Sequence, residues 1–262
     1  MDLKYTESGY LYISPEDNCK KIVDAMLATN YNEEFCLADV FDSEFIARLM
    51  EAGFLVMSAS VKNENGESFY LLLPKLHLVR SALFFDSLHV KKSIRKFLDR
   101  YELRADADFE YILDRCVEKH GNGWLTPPLV ESIKKIRRSF HKNDDANSSS
   151  EKLLPVSSER CINCAYPASF ALYRDGNFAA GEFGVVCGDV YTSYSGFFDE
   201  ENAGTVQLIL TTRYLEKHGF SFFDLGMPMN YKNDLGAVDI SPERFVHLFR
   251  RGNIIKKADK FK

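Results

Sequence analysis

The sequence lacks any apolar run that approaches the roughly 20 residues needed for a membrane-spanning helix. This absence argues against an integral membrane protein. The first ten residues carry Asp2 and Glu7 and have no basic region leading into an apolar run, so no signal peptide is predicted. We therefore expect a cytoplasmic protein with no membrane partner.

Cysteine is sparse and scattered, with 6 residues in a chain of 262, which is not the pattern of a disulfide framework. Cys161 and Cys164 have the spacing of half a zinc site or of a redox motif, but no second CxxC or HxxxH motif completes four ligands. The sequence therefore predicts reduced thiols, no metal site and no cofactor.

Positive charge is in deficit, since 33 Lys and Arg residues stand against 38 Asp and Glu residues, for a net charge of −5. Nucleic-acid binding nevertheless depends on where the charge lies. Residues 75–104 are locally basic, with Asp86, Asp99 and Glu102 against Lys75, Arg80, Lys91, Lys92, Arg95, Lys96, Arg100 and Arg104.

Residues 1–74 are predicted to form a small N-terminal α/β domain. Ser14 and Pro15 have the pattern of a helix start, and Asp42 is a capping residue for a second helix that ends near Gly53. The apolar runs 54–58 and 69–73 predict two strands.

Residues 75–262 are predicted to form a second domain. Residues 89–100 have an apolar face and a basic face, as an amphipathic helix would, and 107–119 and 127–140 predict two more helices. The stretch 141–160 is polar and rich in Asn and Ser, so we predict a flexible surface loop there.

Residues 169–198 give the clearest architectural signal, because three β-rich runs are separated by turn sequences around Asp175-Gly176 and Gly188-Asp189. An antiparallel meander is predicted, followed by a helix over 202–218 and a buried strand at 220–223. The predicted fold class is α+β, with an acetyltransferase-like sandwich and a mostly antiparallel sheet. Several activities share this architecture, so the fold alone does not choose among them.

Several blocks in one order resemble the leucyl/phenylalanyl-tRNA-protein transferase family. They are the segments 88–96, 124–126, 174–176, 181–185, 201–203, 222–224, 235–237 and 241–245. The polar insertion after Phe140 interrupts the match, and a weaker echo lies at 36–40 and 51–54. The resemblance implies transfer of an aminoacyl group from charged tRNA to the N-terminal amine of a protein, which marks that protein for degradation.

The resemblance also implies roles for particular residues. The tRNA would bind Lys91, Lys92, Arg95 and Lys96 through its phosphates, and Trp124 would stack on its terminal adenosine. Without the resemblance, a solvated helix face and a core tryptophan are the simpler interpretations. Asp224 would be catalytic, since a carboxylate at the end of an apolar strand is costly unless it is bonded or used. The expected partners are aminoacyl-tRNA and an acceptor N-terminus, and the expected state is a monomer.

The sequence departs from the family at the expected substrate contacts. Gly226 stands where the family has Gln, and Tyr194 and Ala171 stand where it has Glu, so Tyr194 and Ser195 occupy the acceptor-peptide segment. The aminoacyl pocket is predicted to contain Phe183, Phe197, Leu208, Phe223 and Glu182. Glu182 replaces an apolar residue, so it either favours a cationic aminoacyl group or points to solvent, and the apolar members are either pocket or ordinary core.

Two other functions fit the same sequence. A CoA-dependent acetyltransferase needs a turn that offers backbone amides to a pyrophosphate, whereas residues 200–204 are acidic and lack that pattern. A non-catalytic tRNA-binding or peptide-binding relative would explain the missing Gln and Glu.

Overall fold

The computed structural model describes residues 3–141 and 165–258. The predicted loop at 141–160, apart from His141, and the pair Cys161 and Cys164 lie outside these ranges. The helices run as follows: α1 Cys19–Ala28, α2 Ser43–Glu51, α3 Lys92–Arg95, α4 Phe109–His120, α5 Pro127–His141, α6 Ala203–Lys217, α7 Asn230–Asp234 and α8 Pro242–Ala258. None of the described helices is long and apolar enough to cross a membrane.

The strands form one large sheet and two hairpins. Their bounds are β1 Lys4–Tyr5, β2 Leu11–Tyr12, β3 Leu55–Lys62, β4 Ser68–Lys75, β5 Arg80–Leu83, β6 Tyr101–Ala105, β7 Ala165–Arg174, β8 Asn177–Cys187, β9 Val190–Phe198, β10 Phe222–Gly226 and β11 Val238–Ile240. Strands β1 and β2 pair with each other, as do β3 and β4, and the large sheet has the order β11-β5-β10-β9-β8-β7-β6.

The meander β7–β8–β9 forms where the turn sequences predict it. Asp175 and Gly176 connect β7 to β8 with φ values of 50° and 78°, and two consecutive positive φ values suit a two-residue hairpin turn whose twist matches the strands. Gly188, at φ 64°, serves the second turn. All pairings in the large sheet are antiparallel except that of β9 with β10.

Helix α6 carries the chain from β9 back to β10, which enters the sheet parallel to β9. A parallel return needs a crossover of this kind, because a hairpin can only join antiparallel strands. The predicted α+β fold class with a mostly antiparallel sheet is confirmed.

The N-terminal part folds through local signals and then shares a core with the rest. Asp42 caps α2 by accepting a hydrogen bond from the Phe45 N–H at 2.8 Å, as its sequence pattern predicts. Helix α1 begins later than Ser14 and Pro15 suggest, at Cys19 after the capping residue Asn18. One buried cluster contains residues from both sides of position 74, and the division into domains 1–74 and 75–262 stays a prediction.

The predicted helix over 89–100 is wrong. Only Lys92–Arg95 is α-helical, followed by a 3₁₀ turn and by β6. Like charges four residues apart, Lys91 with Arg95 and Lys92 with Lys96, disfavour the helix, and the His89 N–H is held in place by the Leu235 carbonyl at 2.8 Å. The separation of apolar and basic sides is nevertheless confirmed, since Val90, Ile94 and Leu98 are buried while the basic residues are exposed.

Candidate active site

The two parallel strands of the sheet diverge after a short pairing. Strands β9 and β10 pair only through Val190–Thr192 and Phe222–Asp224. Beyond that point β9 runs on to Phe198 with β8 as its only paired strand, while β10 ends at Gly226 and leads to α7. The edge of β9 from Ser193 onward therefore presents backbone donors and acceptors that β10 does not satisfy, which is a place for a ligand to bind.

Asp224 lies at this divergence and is completely buried. Its carboxylate accepts hydrogen bonds from Arg80 Nε at 2.9 Å, Arg80 Nη2 at 2.6 Å, the Thr192 hydroxyl at 2.8 Å and the Gly226 N–H at 3.0 Å. Burial alone would raise its pKa, but the Arg80 charge and these hydrogen bonds together hold the pKa of Asp224 below its ordinary value. The carboxylate is ionised and its acceptor sites are occupied.

Arg80 is the partner that makes this burial tolerable. Its side chain, also buried, stacks over the Phe245 ring with 4.1 Å between the guanidinium carbon and the ring centroid. Arg80 Nη1 has no hydrogen-bond partner among the described residues. His77 lies nearby and is buried. Burial, as the larger cause, and the Arg80 charge, as the next, lower the pKa of the His77 imidazole to about 3. His77 is therefore neutral, and its Nε2 also lacks a partner.

A narrow pocket with an internal volume of about 10 Å³ lies beside Arg80, on the face of the sheet that packs against the N-terminal part. Its lining residues come from four segments of the chain and are Met50, Gly53, Phe54, Arg80, Val185, Cys187, Thr192, Tyr194 and Phe249. This volume is far below the roughly 300–1,000 Å³ of typical small-molecule sites. The pocket has room for about one water molecule.

Tyr194 links β9 to the N-terminal part. Its hydroxyl accepts a hydrogen bond from the Val56 N–H of β3 at 3.2 Å, and its ring packs against Phe183. A β-bulge at this point places Ser195 opposite Phe183 and so on the same face, where its hydroxyl neighbours the Cys116 thiol. The prediction that Tyr194 and Ser195 contact the acceptor peptide stays a prediction, and in this structure both side chains face protein groups.

The five residues of the predicted aminoacyl pocket do not line one cavity. Phe183 and Phe197 belong to the core on the N-terminal side of the sheet, whereas Phe223 belongs to a cluster on the opposite side, against which Leu208 of α6 packs. Neighbouring residues of a strand point to opposite faces, so Glu182 lies on the side of Leu208 and Phe223. The structure therefore separates Phe183 and Phe197 from the other three, and the role of these five residues as an aminoacyl pocket stays a prediction.

Glu182 is buried, with an exposed fraction of 4%. It accepts one hydrogen bond, from the Ser193 hydroxyl at 3.0 Å, and its other oxygen has no partner among the described residues. Burial raises the pKa of Glu182 to about 7, against the opposing effect of the neighbouring Ser193 and Thr211 hydroxyls. The alternative that Glu182 simply points to solvent is excluded.

Lys232 of α7 contacts the end of β10, where β10 leaves the sheet. Its ammonium donates to the carbonyls of Leu225 at 2.6 Å and Met227 at 2.7 Å, so it braces the segment that leaves β10. Burial lowers the pKa of Lys232 to about 8, against the attraction of Asp224 and Glu182. Lys232 therefore remains mostly charged at neutral pH.

The basic segment, residues 91–96, adjoins the same region. Lys91 forms an exposed ion pair with Asp234 at the end of α7, at 2.6 Å. Gly236 lets the segment after α7 pack closely against the backbone at Ser87, because a Cβ at position 236 would lie 1.9 Å from the Ser87 carbonyl oxygen. Lys92, Arg95 and Lys96 are exposed, so the structure places four basic side chains on the surface beside α7.

Trp124 lies elsewhere, in the turn just before α5. Its ring is half-buried against the core, and its carbonyl accepts hydrogen bonds from the Ser58 N–H at 2.9 Å and from the Ser58 hydroxyl at 3.0 Å. These contacts are those of a residue that joins β3 to the helices. Stacking of Trp124 on a terminal adenosine stays a prediction.

Sequence and structure comparisons identify related proteins. A model of the family described as leucyl/phenylalanyl-tRNA protein transferase matches residues 159–250. A protein of Maridesulfovibrio salexigens named leucyl/phenylalanyl-tRNA–protein transferase is 28% identical over 64% of this chain and 63% of its own length. Its namesake in Pseudomonas entomophila is 26% identical over 65% of this chain and 67% of its own. The chain is similar in sequence to these transferases over about two thirds of its length.

The resemblance inferred from the sequence is thereby confirmed. This chain spans about two thirds of the length of the transferases that it matches. Among solved structures, L-PGS from Bacillus licheniformis is 10% identical, with a TM-score of 0.39 over 95% of this chain and 88% of that one.

The structure gives a reason for one departure from the leucyl/phenylalanyl-tRNA-protein transferases. Gly226 has φ 70°, in the left-handed region that side chains disfavour, and this conformation turns its N–H back to Asp224. A glutamine at position 226 would be strained in this backbone. Ala171, at the site of a family Glu, is fully buried in β7 opposite Gly181.

Sequence reasoning missed several polar residues of this site. Arg80 carried a usable signal, since a lone arginine stands inside the apolar run 79–84. Thr192, Ser193, Thr211 and Lys232 carried none, because each is an ordinary residue for its predicted element. Their importance comes from the packing of β8, β9, β10, α6 and α7 against one another.

Proposed function

We propose that this protein transfers an aminoacyl group from charged tRNA to the N-terminal amine of an acceptor protein. The relatives' name supports Leu or Phe, or a related residue, as the group transferred, and the acceptor would thereby be marked for degradation. The observation that carries the proposal is the divergence of β9 and β10 beside the Asp224–Arg80 pair. It offers an unpaired strand edge in a chain related to aminoacyl-tRNA transferases.

An aminoacyl ester already reacts with a neutral amine, so the protein has mainly to align the two and to stabilise the developing oxyanion. Backbone N–H groups of β9 beyond Thr192 are the donors proposed for this task. The amine attacks the ester carbonyl, the bond to the tRNA ribose oxygen breaks, and that oxygen receives the proton that the amine loses.

Asp224 is proposed to act by position. Arg80, Thr192 and Gly226 all donate hydrogen bonds to the Asp224 carboxylate. Asp224 therefore fixes the ends of β5, β9 and β10 relative to one another. A displacement of about 1 Å at a reacting centre can cost a hundredfold in rate. Substitution of Asp224 is therefore expected to slow transfer strongly even without contact between Asp224 and the substrate.

The basic segment is proposed to hold the tRNA phosphates near the acceptor end. It adjoins α7, and α7 follows directly from the strand that carries Asp224. Point charges suffice for phosphate contacts and give affinity that falls with salt. The acceptor chain would enter along Tyr194 and Ser195 of β9.

The deciding experiment offers the protein a pool of tRNAs charged with labelled amino acids together with peptides that begin with Arg, Lys, Asp or Glu. Acetyl-CoA with a labelled acetyl group is supplied in parallel. Label that moves from tRNA to the peptide N-terminus supports the proposal. Label only from acetyl-CoA would replace it with an acetyltransferase.

A second candidate is a tRNA-binding relative without transfer activity. Gly226 favours it, because the family's Gln is absent and the backbone here disfavours any side chain at that position. Intact tRNA binding with no transfer from any charged tRNA would select this candidate.

A further inference from the structure

Three buried polar atoms on the α6 side of the sheet lack hydrogen-bond partners among the described residues. They are Oε1 of Glu182, the hydroxyl of Thr211 and the hydroxyl of Tyr191, and we call these residues the polar cluster. Their exposed fractions are 4%, 0% and 0%. Buried polar groups are nearly always hydrogen-bonded, so three such atoms in one place indicate an absent partner.

The members of the polar cluster come from three adjacent elements. Glu182 lies in β8 and Thr211 in α6, where the Thr211 hydroxyl acts on the Glu182 carboxylate. Tyr191 lies in β9 and crosses over Gly184, two residues from Glu182 on the same strand face, since a Cβ at Gly184 would lie 2.8 Å from the Tyr191 hydroxyl.

The polar cluster lies next to the open edge of β9. Ser193, the first residue after the β9–β10 pairing, donates the only hydrogen bond that Glu182 receives in the geometry described. Gly196 pairs with Glu182 across the strands and is exposed. A group bound along this edge therefore has a short route to the carboxylate.

Nothing in the described part of the chain neutralises Glu182. No Lys, Arg or His side chain there forms an ion pair with it. Lys232 attracts it, but the Lys232 ammonium donates to two backbone carbonyls. A buried carboxylate without a paired cation is expensive and is retained where a ligand supplies the charge.

We propose that the polar cluster receives the cationic side chain of the aminoacyl group, so that the protein uses tRNA charged with Arg or Lys in preference to Leu or Phe. This inference rests on the proposed transferase function. The cluster offers three acceptors and a negative charge, which matches a guanidinium with five donors or an ammonium with three. An apolar side chain would leave all three atoms unsatisfied.

The test compares transfer from purified tRNAs charged with Arg, Lys, Gln, Leu or Phe to one acceptor peptide. We expect Arg or Lys to exceed the other three by about ten- to a hundredfold, the usual effect of a buried charge-assisted hydrogen bond. Glu182→Gln, which keeps the side-chain size, should remove most of this preference. Glu201→Gln, at an exposed acid before α6, is the matched control and should keep it.

Binding of stable analogues supplies a readout that needs no transfer. Adenosine with Arg or Leu joined through a 3′-amide is titrated calorimetrically against wild type, Glu182→Gln and Thr211→Val. Tighter binding of the arginyl analogue, weakened in both variants, is the expected result. Equal or tighter binding of the leucyl analogue, or a preference unchanged by both variants, overturns the inference. Failure of all transfer would instead count against the proposed function, and the analogues would still decide the specificity.

Discussion

Replacement of Asp224 by Asn tests the buried ion pair most directly. The substitution preserves shape but removes the charge, and it turns an amide donor toward the guanidinium of Arg80, which is 1% exposed. Breaking a buried pair by removing one partner typically costs about 3–5 kcal/mol, because the other charge stays buried and unpaired. We expect a loss of that size in the free energy of unfolding.

Urea denaturation followed by the fluorescence of Trp124, the single tryptophan, is a suitable assay. With an m value of about 3 kcal/mol per molar, the midpoint should fall by about 1–2 M. The matched control is Asp234→Asn, which breaks the exposed pair with Lys91 and should cost only about 0–1 kcal/mol.

A stricter test measures Asp224→Asn both in wild type and in an Arg80→Met variant. Arg80→Met leaves Asp224 as the uncompensated charge, so Asp224→Asn in that background should stabilise the protein rather than destabilise it. If Asp224→Asn costs no more than the control, or costs the same in both backgrounds, then the pair does not hold the strand ends together. Transfer should also fall in the single variant, while tRNA affinity stays largely intact.

Three further predictions concern the surface and the pH dependence. Alanine at Lys91, Lys92 and Arg95 together should weaken tRNA binding and reduce the salt slope by about 2–3 units in a filter-binding titration, whereas alanine at the exposed Lys119 and Lys217 should leave the slope unchanged. Gly236→Ala should weaken tRNA binding as well, since its Cβ would meet the Ser87 carbonyl and the φ of 96° disfavours a side chain; unchanged affinity and melting temperature would contradict the docking described. The raised pKa of Glu182, about 7, means that the folded state holds this proton more tightly than the unfolded state, so stability is lost as pH rises from about 4.5 through 7. In urea titrations, the stability of Glu182→Gln should therefore rise relative to that of wild type between pH 5 and 7.5. A stability difference that does not change with pH would contradict this expectation. The other polar groups that face the Glu182 carboxylate are those of Ser193, Thr211, Tyr191, Lys232 and Tyr231.

Local signals were enough for much of the fold. The Asp175-Gly176 turn predicts the meander because two positive φ values are needed there, and few residues other than Gly, Asn and Asp supply them. The cap at Asp42 predicts α2 for a similarly local reason. The helix expected over 89–100 failed because the docking of His89 on Leu235, 146 positions away, outweighs the apolar periodicity.

The candidate site was harder to predict, since its contacts are distant in sequence. Arg80 and Asp224 are separated by 144 positions, so the sequence could indicate a costly carboxylate but not its partner. That Glu182 and Phe183 lie on opposite faces of the sheet follows from strand alternation alone, because neighbouring side chains of a strand point to opposite sides. That Glu182 is buried beside Thr211 depends on the packing of α6, and no pattern within β8 indicates it.

The two buried carboxylates near the strand divergence have opposite environments, and this difference separates their proposed roles. Asp224 is surrounded by donors that favour its charged form, which leaves no acceptor site for a ligand. Glu182 has one donor and a free oxygen, so its proton is held to near neutral pH and its charge is open to an incoming cation. Substitution of Asp224 should therefore slow transfer from every charged tRNA alike, through displaced strand ends. Substitution of Glu182 should change which charged tRNA is preferred, because in the proposed arrangement the side chain of the transferred group would meet the unpaired charge of Glu182.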